Sequence, residues 1–185
     1  MNLFIEDACC FVWSNIKKVF LCLFVFLSFT QLRAQEELNY SVHANIIYHF
    51  TKYINWPPDK NAGDFIIGVV GETPLSDELK KIVTGKKACG QNILIKRFSS
   101  SSSSFNCHIL FISDAASSSL KKIVNTTIND PVLLVSESKG FASKGSCINF
   151  SIVNDKLKLE INKNNIQHRG LEIASELLQL GIQVK

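Results

Sequence analysis

The sequence predicts an α/β fold: a single compact sandwich with a mostly parallel sheet, a β-hairpin in its C-terminal half and helices on both faces. Three observations carry that expectation. Short apolar runs (FIIGVV at Phe65–Val70, HILFIS at His108–Ser113, PVLLVS at Pro131–Ser136) are bounded by turn residues, as strands covered on both faces are. Segments of helical period lie between several of the strands, so crossovers join them. After Cys147, Ile148, Phe150 and Ile152, and later Leu157, Leu159 and Ile161, alternate with polar residues, the mark of strands with one wet face.

Taken in order, the chain opens on an address. Lys17-Lys18 precedes an eleven-residue uncharged apolar run, Val19–Phe29, followed by polar residues and the small residue Ala34. That is the pattern of a secretory signal peptide over residues 1–34, cleaved near Ala34, and the run is too short for a membrane span of about 20 residues. Residues 1–14 carry two acids and no base, unlike the opening of a signal, so translation is expected to start downstream, near Val12 or Val19. Residues 35–185 then form one domain. Asn39–Asn55 places Val42, Ile46, Phe50 and Tyr53 or Ile54 at three- and four-residue steps, predicting a helix stopped by Trp56-Pro57-Pro58.

Strand Phe65–Val70 is followed by the turn Gly71–Pro74, a short helix Leu75–Val83 and an alternating strand Asn92–Phe98. Six serines, Ser99–Ser104, form a polar loop with nothing to bury. Strand His108–Ser113, a helix over Ser117–Val124 and strand Pro131–Ser136 come next. Ile148, Phe150 and Ile152, then Leu157, Leu159 and Ile161, flank Asn154-Asp155, which predicts a β-hairpin. Leu171–Val184 is read as one closing helix with Leu171, Ala174, Leu177, Leu178 and Leu180 along a stripe that covers the sheet.

Composition narrows the function. The chain has 185 residues, 46% apolar, with a net charge of +4, which excludes a disordered chain. Removing residues 1–34 takes away Lys17, Lys18, Arg33, Glu6 and Asp7 and leaves 17 bases and 14 acids. No run of Lys or Arg exceeds two, so no nucleic-acid partner is expected. His43 and His49 fall on different faces of their helix, and Cys107-His108 has no second pair at metal-ligand spacing, so no metal or other cofactor is expected. No G-x-S-x-G elbow occurs, and a Cys147 nucleophile would need His108 or His168 to arrive from afar, so an enzyme is not expected. Gly68–Pro74 could present backbone N–H groups to an anion or be a tight connection. Open α/β sheets bind ligands beyond their strand C-termini, which makes Gly71, Glu72 and Thr73, with Ser136, Glu137, Gly140 and Phe141, candidate ligand-end loops. Trp56, Pro57 and Pro58 form a turn that serves either a partner or the packing of the first helix.

Cys89, Cys107 and Cys147 remain after the leader. Cys89 and Cys107 each stand just before a strand, toward one end of the sheet, with 17 residues between them. Two readings stand: a Cys89–Cys107 bridge, closing a loop worth about 3 kcal/mol, or three free thiols.

YSVHANIIYHFTKYINWP, IIGVVGETPL, CHILFIS, PVLLVSESKGFASKGSCINF, LKLEIN and GLEIASELLQLGIQV, in this order between Tyr40 and Val184, resemble the YfiR family of exported bacterial proteins. The resemblance implies a non-enzymatic periplasmic regulator, a compact α/β sandwich that can form a homodimer. It would restrain the extracytoplasmic domain of an inner-membrane signalling protein, of the diguanylate cyclase type, and so control cyclic di-GMP and biofilm. The second reading is a periplasmic small-molecule-binding sensor acting with a histidine kinase. Cys107 matches a family cysteine, whereas Gly68 stands where a partner cysteine is sometimes found, which makes Cys89 the substitute partner for a disulfide.

Overall fold

The computed structural model describes residues 40–154 and 156–185. The expected signal peptide, its cleavage near Ala34 and the reassigned start lie outside the described residues.

The fold is α/β, with a mostly parallel eight-stranded sheet. Helix α1 covers residues 40–53 and runs into β1 (Ile54–Asn55). There follow β2 (Phe65–Val70), α2 (Leu75–Val83), β3 (Lys87–Ala88), β4 (Gln91–Phe98) and β5 (Ile109–Ile112). A 3₁₀ segment, Asp114–Ser119, leads into α3 (Leu120–Thr126), then β6 (Leu133–Ser136), β7 (Ile148–Val153) and β8 (Lys156–Ile161). The chain closes with α4 (Lys163–His168), β9 (Glu172–Ile173), α5 (Ser175–Leu180) and β10 (Ile182–Gln183).

Five parallel strands in the order β4-β2-β5-β6-β7 make the centre. β3 pairs antiparallel outside β4, β8 pairs antiparallel outside β7, and β10 lies parallel beyond β8. The chain leaves β2 in one direction to reach β4, then returns past β2 to β5 and continues the other way. Right-handed crossovers in opposite directions put α2 and α3 on opposite faces. The continuous apolar runs follow from this burial: every residue of β5 and β6 is buried.

One face is organised around Phe150 of β7, which is 2% exposed. Its ring stacks on His43 of α1 at 4.3 Å and meets Phe50 and Phe111 at 6.4 Å each. The buried stripe of α1 is therefore His43, Ala44, Ile47, Phe50 and Thr51, turned by about one residue from the expected stripe. Val42 is left 45% exposed, and Ile46 and Tyr53 only half-buried.

The closing helix predicted over Leu171–Val184 is corrected: that stretch holds β9, α5 and β10, and α4 precedes it. Gly170 (φ +67°) turns the chain after α4. β9 pairs with β1, joining Ile173 to Ile54. Gly181 adopts extended backbone so that β10 can pair with β8, and a Cβ there would lie 2.4 Å from Ile161 Cδ1. Backbone pairing with distant strands outweighed the helical spacing of the leucines.

Candidate functional site

The loops at the C-terminal ends of the parallel strands enclose a crevice of about 360 Å³. It lies where the strand order reverses, between the ends of β2, β4 and β5. Val69, Gly71, Phe98, Ala115 and Ala116 line it with small or apolar surface, and Glu72, Arg97, Ser99, Ser100, Ser118 and Ser119 add polar groups. Gly71 has φ +90°, and a Cβ on it would fall 2.2 Å from Ser113 Oγ, so only glycine fits this turn without rearrangement. Arg97 donates from Nε and Nη2 to Ser76 Oγ at 2.9 and 2.6 Å. Its Nη1 stands 3.8 Å from Glu72 Oε2.

Of the expected ligand-end residues, Gly71 and Glu72 line this crevice. Thr73 is buried, and its Oγ1 accepts the Leu75 N–H at the start of α2. The second loop is tied into the fold instead. Ser136 is buried and donates to Asn149 Oδ1 at 2.7 Å, Glu137 Oε1 accepts the Asp114 N–H, and Phe141 is 7% exposed. Gly140 turns with φ +76° and has open space around it. Arg97 was missed by sequence reasoning; its place at the end of an alternating strand, just before the serines, was the available signal.

A second concavity, of about 380 Å³, is apolar. Ile46, Phe50 and Tyr53 of α1, Leu157 and Leu159 of β8, and Leu177 and Leu180 of α5 line it, with His49 and Lys158 at its polar margin. It exists because the apolar arc of α1 is wider than the sheet can cover. Leu180 is 70% exposed, and Ile182 and Ile152 add to the exposed apolar surface.

Trp56 is committed to the sheet. Its indole N–H donates to the His108 carbonyl at 3.1 Å, and its ring meets Phe65 edge-on at 5.0 Å. Pro57 and Pro58 lead into a 3₁₀ turn, Pro58–Asn61. His108 holds that turn from below: its Nδ1 accepts the Ile66 N–H at 3.0 Å, so Nε2 carries the proton and donates to the Lys60 carbonyl at 2.9 Å. Gln91 donates its amide to the carbonyls of Lys60 and Gly63.

The structure holds Cys89, Cys107 and Cys147 as free thiols, against the expected Cys89–Cys107 bridge. Cys89 lies in the β3–β4 turn with Sγ 4.0 Å from the Thr51 carbonyl. Cys107 precedes β5, which is separated from β4 by β2. Two strand spacings are about 10 Å, beyond the roughly 7 Å Cα separation a disulfide tolerates. Burial pushes the Cys107 thiol up to about 12, despite nearby Lys60, and the Cys147 thiol up to about 11, despite the adjacent Arg169. Neither is a nucleophile at neutral pH. Iodoacetamide is therefore expected to label Cys89 alone in the native chain 35–185, and all three cysteines in denaturant. Mass mapping that finds Cys89 protected contradicts this.

Two buried histidines make stability pH-dependent. Burial holds His43 down to about 4, and burial also lowers His108. Glu137 Oε2, 3.9 Å from His43 Nδ1, favours the protonated form, but that separation exceeds a hydrogen bond and burial sets the direction. The unfolded chain binds these protons near pH 6.5 and the native chain only at lower pH, so stability is fully present above pH 6.5 and lost as pH falls, for His43 toward 4. About 2 kcal/mol is expected to go between pH 7 and 5 through His43. In urea titrations His43→Phe should lose less over that range; an identical slope would exclude His43 as the source.

Among the described residues no helix is long and apolar enough to cross a membrane. A family model described as YfiR/HmsC-like matches residues 40–182. No curated protein matches the chain.

Proposed function

Since the chain belongs to the YfiR/HmsC-like family, we propose that it is a non-enzymatic periplasmic regulator that binds and restrains the extracytoplasmic domain of an inner-membrane signalling protein of the diguanylate cyclase type. The family match over residues 40–182 carries this reading. The groove between α1, β8 and α5 supports it physically. A specific interface needs on the order of 800 Å² per side with an apolar centre. Leu157, Leu159 and Leu180 supply such a centre, with His49 and Lys158 at the rim. Export through the leader would bring the domain to the compartment where such a receptor domain stands.

The test is the cyclic di-GMP content of cells lacking the gene and complemented in turn. Wild type is expected to lower it, and Leu180→Asp to do no better than empty vector while accumulating normally. Wild type without effect would refute restraint of a cyclase. Leu180→Asp acting like wild type would refute docking through the groove.

A further inference from the structure

We propose that the crevice at the ends of β2, β4 and β5 binds a small organic oxyanion, a carboxylate or phosphate monoester, through Arg97. The site goes beyond the docking reading and uses none of the groove residues. Its position is the one where open α/β sheets hold ligands: the strand order β4-β2-β5-β6-β7 reverses at β2, and the crevice opens beyond the strand C-termini there.

The guanidinium is oriented before any ligand arrives. Ser76 is fully buried and accepts from both Nε and Nη2, which fixes the plane of the group. Nη1 stands 3.8 Å from Glu72 Oε2, and both residues line the crevice. The Glu72 side chain is 93% exposed, and an exposed pair of that length is weak. A ligand oxyanion can displace it and gain charge-assisted hydrogen bonds from a guanidinium whose ordering cost is already met.

The walls allow a close approach. Gly71 lacks a side chain by necessity, Ala116 contributes only a methyl, and the serines just after β4 share the lining with those that end the 3₁₀ segment before α3. The Ser119 hydroxyl is suited to the remaining oxygens of a phosphate or to a ligand hydroxyl, and that of Ser99 can join it by exchanging its 2.7 Å contact with the exposed Ser101 Oγ. A volume of about 360 Å³ is at the lower end for small-molecule sites and restricts the ligand to a small metabolite.

The test is titration of the isotope-labelled chain 35–185 with inorganic phosphate and, separately, succinate at millimolar concentration, at constant ionic strength, followed by amide shifts. Saturable shifts centred on Gly71, Arg97, Ser99 and Ser119 with either probe are expected. Arg97→Gln should weaken them at least about tenfold, and Glu72→Gln, at an exposed position, should tighten binding several-fold. No saturable shift with either probe overturns the proposal, as does unchanged affinity in folded Arg97→Gln. Should Arg97→Gln fail to fold, Glu72→Gln decides: affinity equal to wild type overturns it.

Discussion

Phe150→Ala is expected to lower the unfolding free energy by about 3–5 kcal/mol. The ring is 2% exposed and links α1 to the sheet through its contacts with His43, Phe50 and Phe111. Its removal leaves a cavity bordered by β5, β7 and α1 that rigid strands cannot collapse to fill. Urea unfolding at pH 7 measures the loss. A small domain with total stability of about 5–15 kcal/mol would be left marginal. A change below about 1 kcal/mol would mean that α1 is not anchored as described. Leu180→Asp, at a 70% exposed position, should stay within about 0.5 kcal/mol, which separates docking defects from folding defects.

Gly71→Ala is the second large effect, at about 2–4 kcal/mol. A non-glycine residue at φ +90° costs about 1 kcal/mol, and the added methyl would meet Ser113 Oγ at 2.2 Å, Ala116 Cβ at 2.9 Å and Ala116 N at 3.2 Å. Because one of those neighbours is backbone, the 3₁₀ segment after β5 must move. Gly140→Ala is the internal control: φ is +76°, but nothing lies within 4 Å of the new methyl, so only the backbone cost of about 1 kcal/mol applies. Equal losses at the two positions would show that the turn after β2 has room that the structure denies it.

The same turn shows which parts of the fold were legible in the sequence. β2 and α2 have the expected bounds because Asp64 and Gly71–Pro74 punctuate an apolar run and then a helical period, both local signals. The hairpin was equally plain, since alternation on both sides of Asn154-Asp155 fixes the pairing of Ile152 with Leu157. The closing segment was misread because leucines at helical spacing carry no trace of a distant strand. Gly170 and Gly181 were the visible punctuation, but β9 and β10 exist only through pairing with β1 and β8. The cysteine pair failed for a related reason: separation along the chain does not reveal that β2 inserts between β4 and β5. His43, which the expected apolar stripe of α1 leaves out, stacks on Phe150, and the stripe is turned by about a residue as a result.

At the candidate sites, Gly71 and Glu72 were legible from the rule that ligands gather at strand C-termini. Arg97 was not, since its anchoring by Ser76 joins α2 to β4 across 21 residues. The apolar groove was invisible in the same way: Tyr53, Leu159 and Leu180 come together only when α1, β8 and α5 are assembled.

The central claim, that this domain docks on a membrane signalling protein through the α1–β8–α5 groove, is tested most directly by equilibrium binding. The purified chain 35–185 is titrated with the purified periplasmic domain of a membrane diguanylate cyclase from the same cell. Saturable one-to-one binding per chain, lost in Leu180→Asp and retained in Arg97→Gln, is the expected result. No saturable binding, or binding to which Leu180→Asp is indifferent, would contradict it.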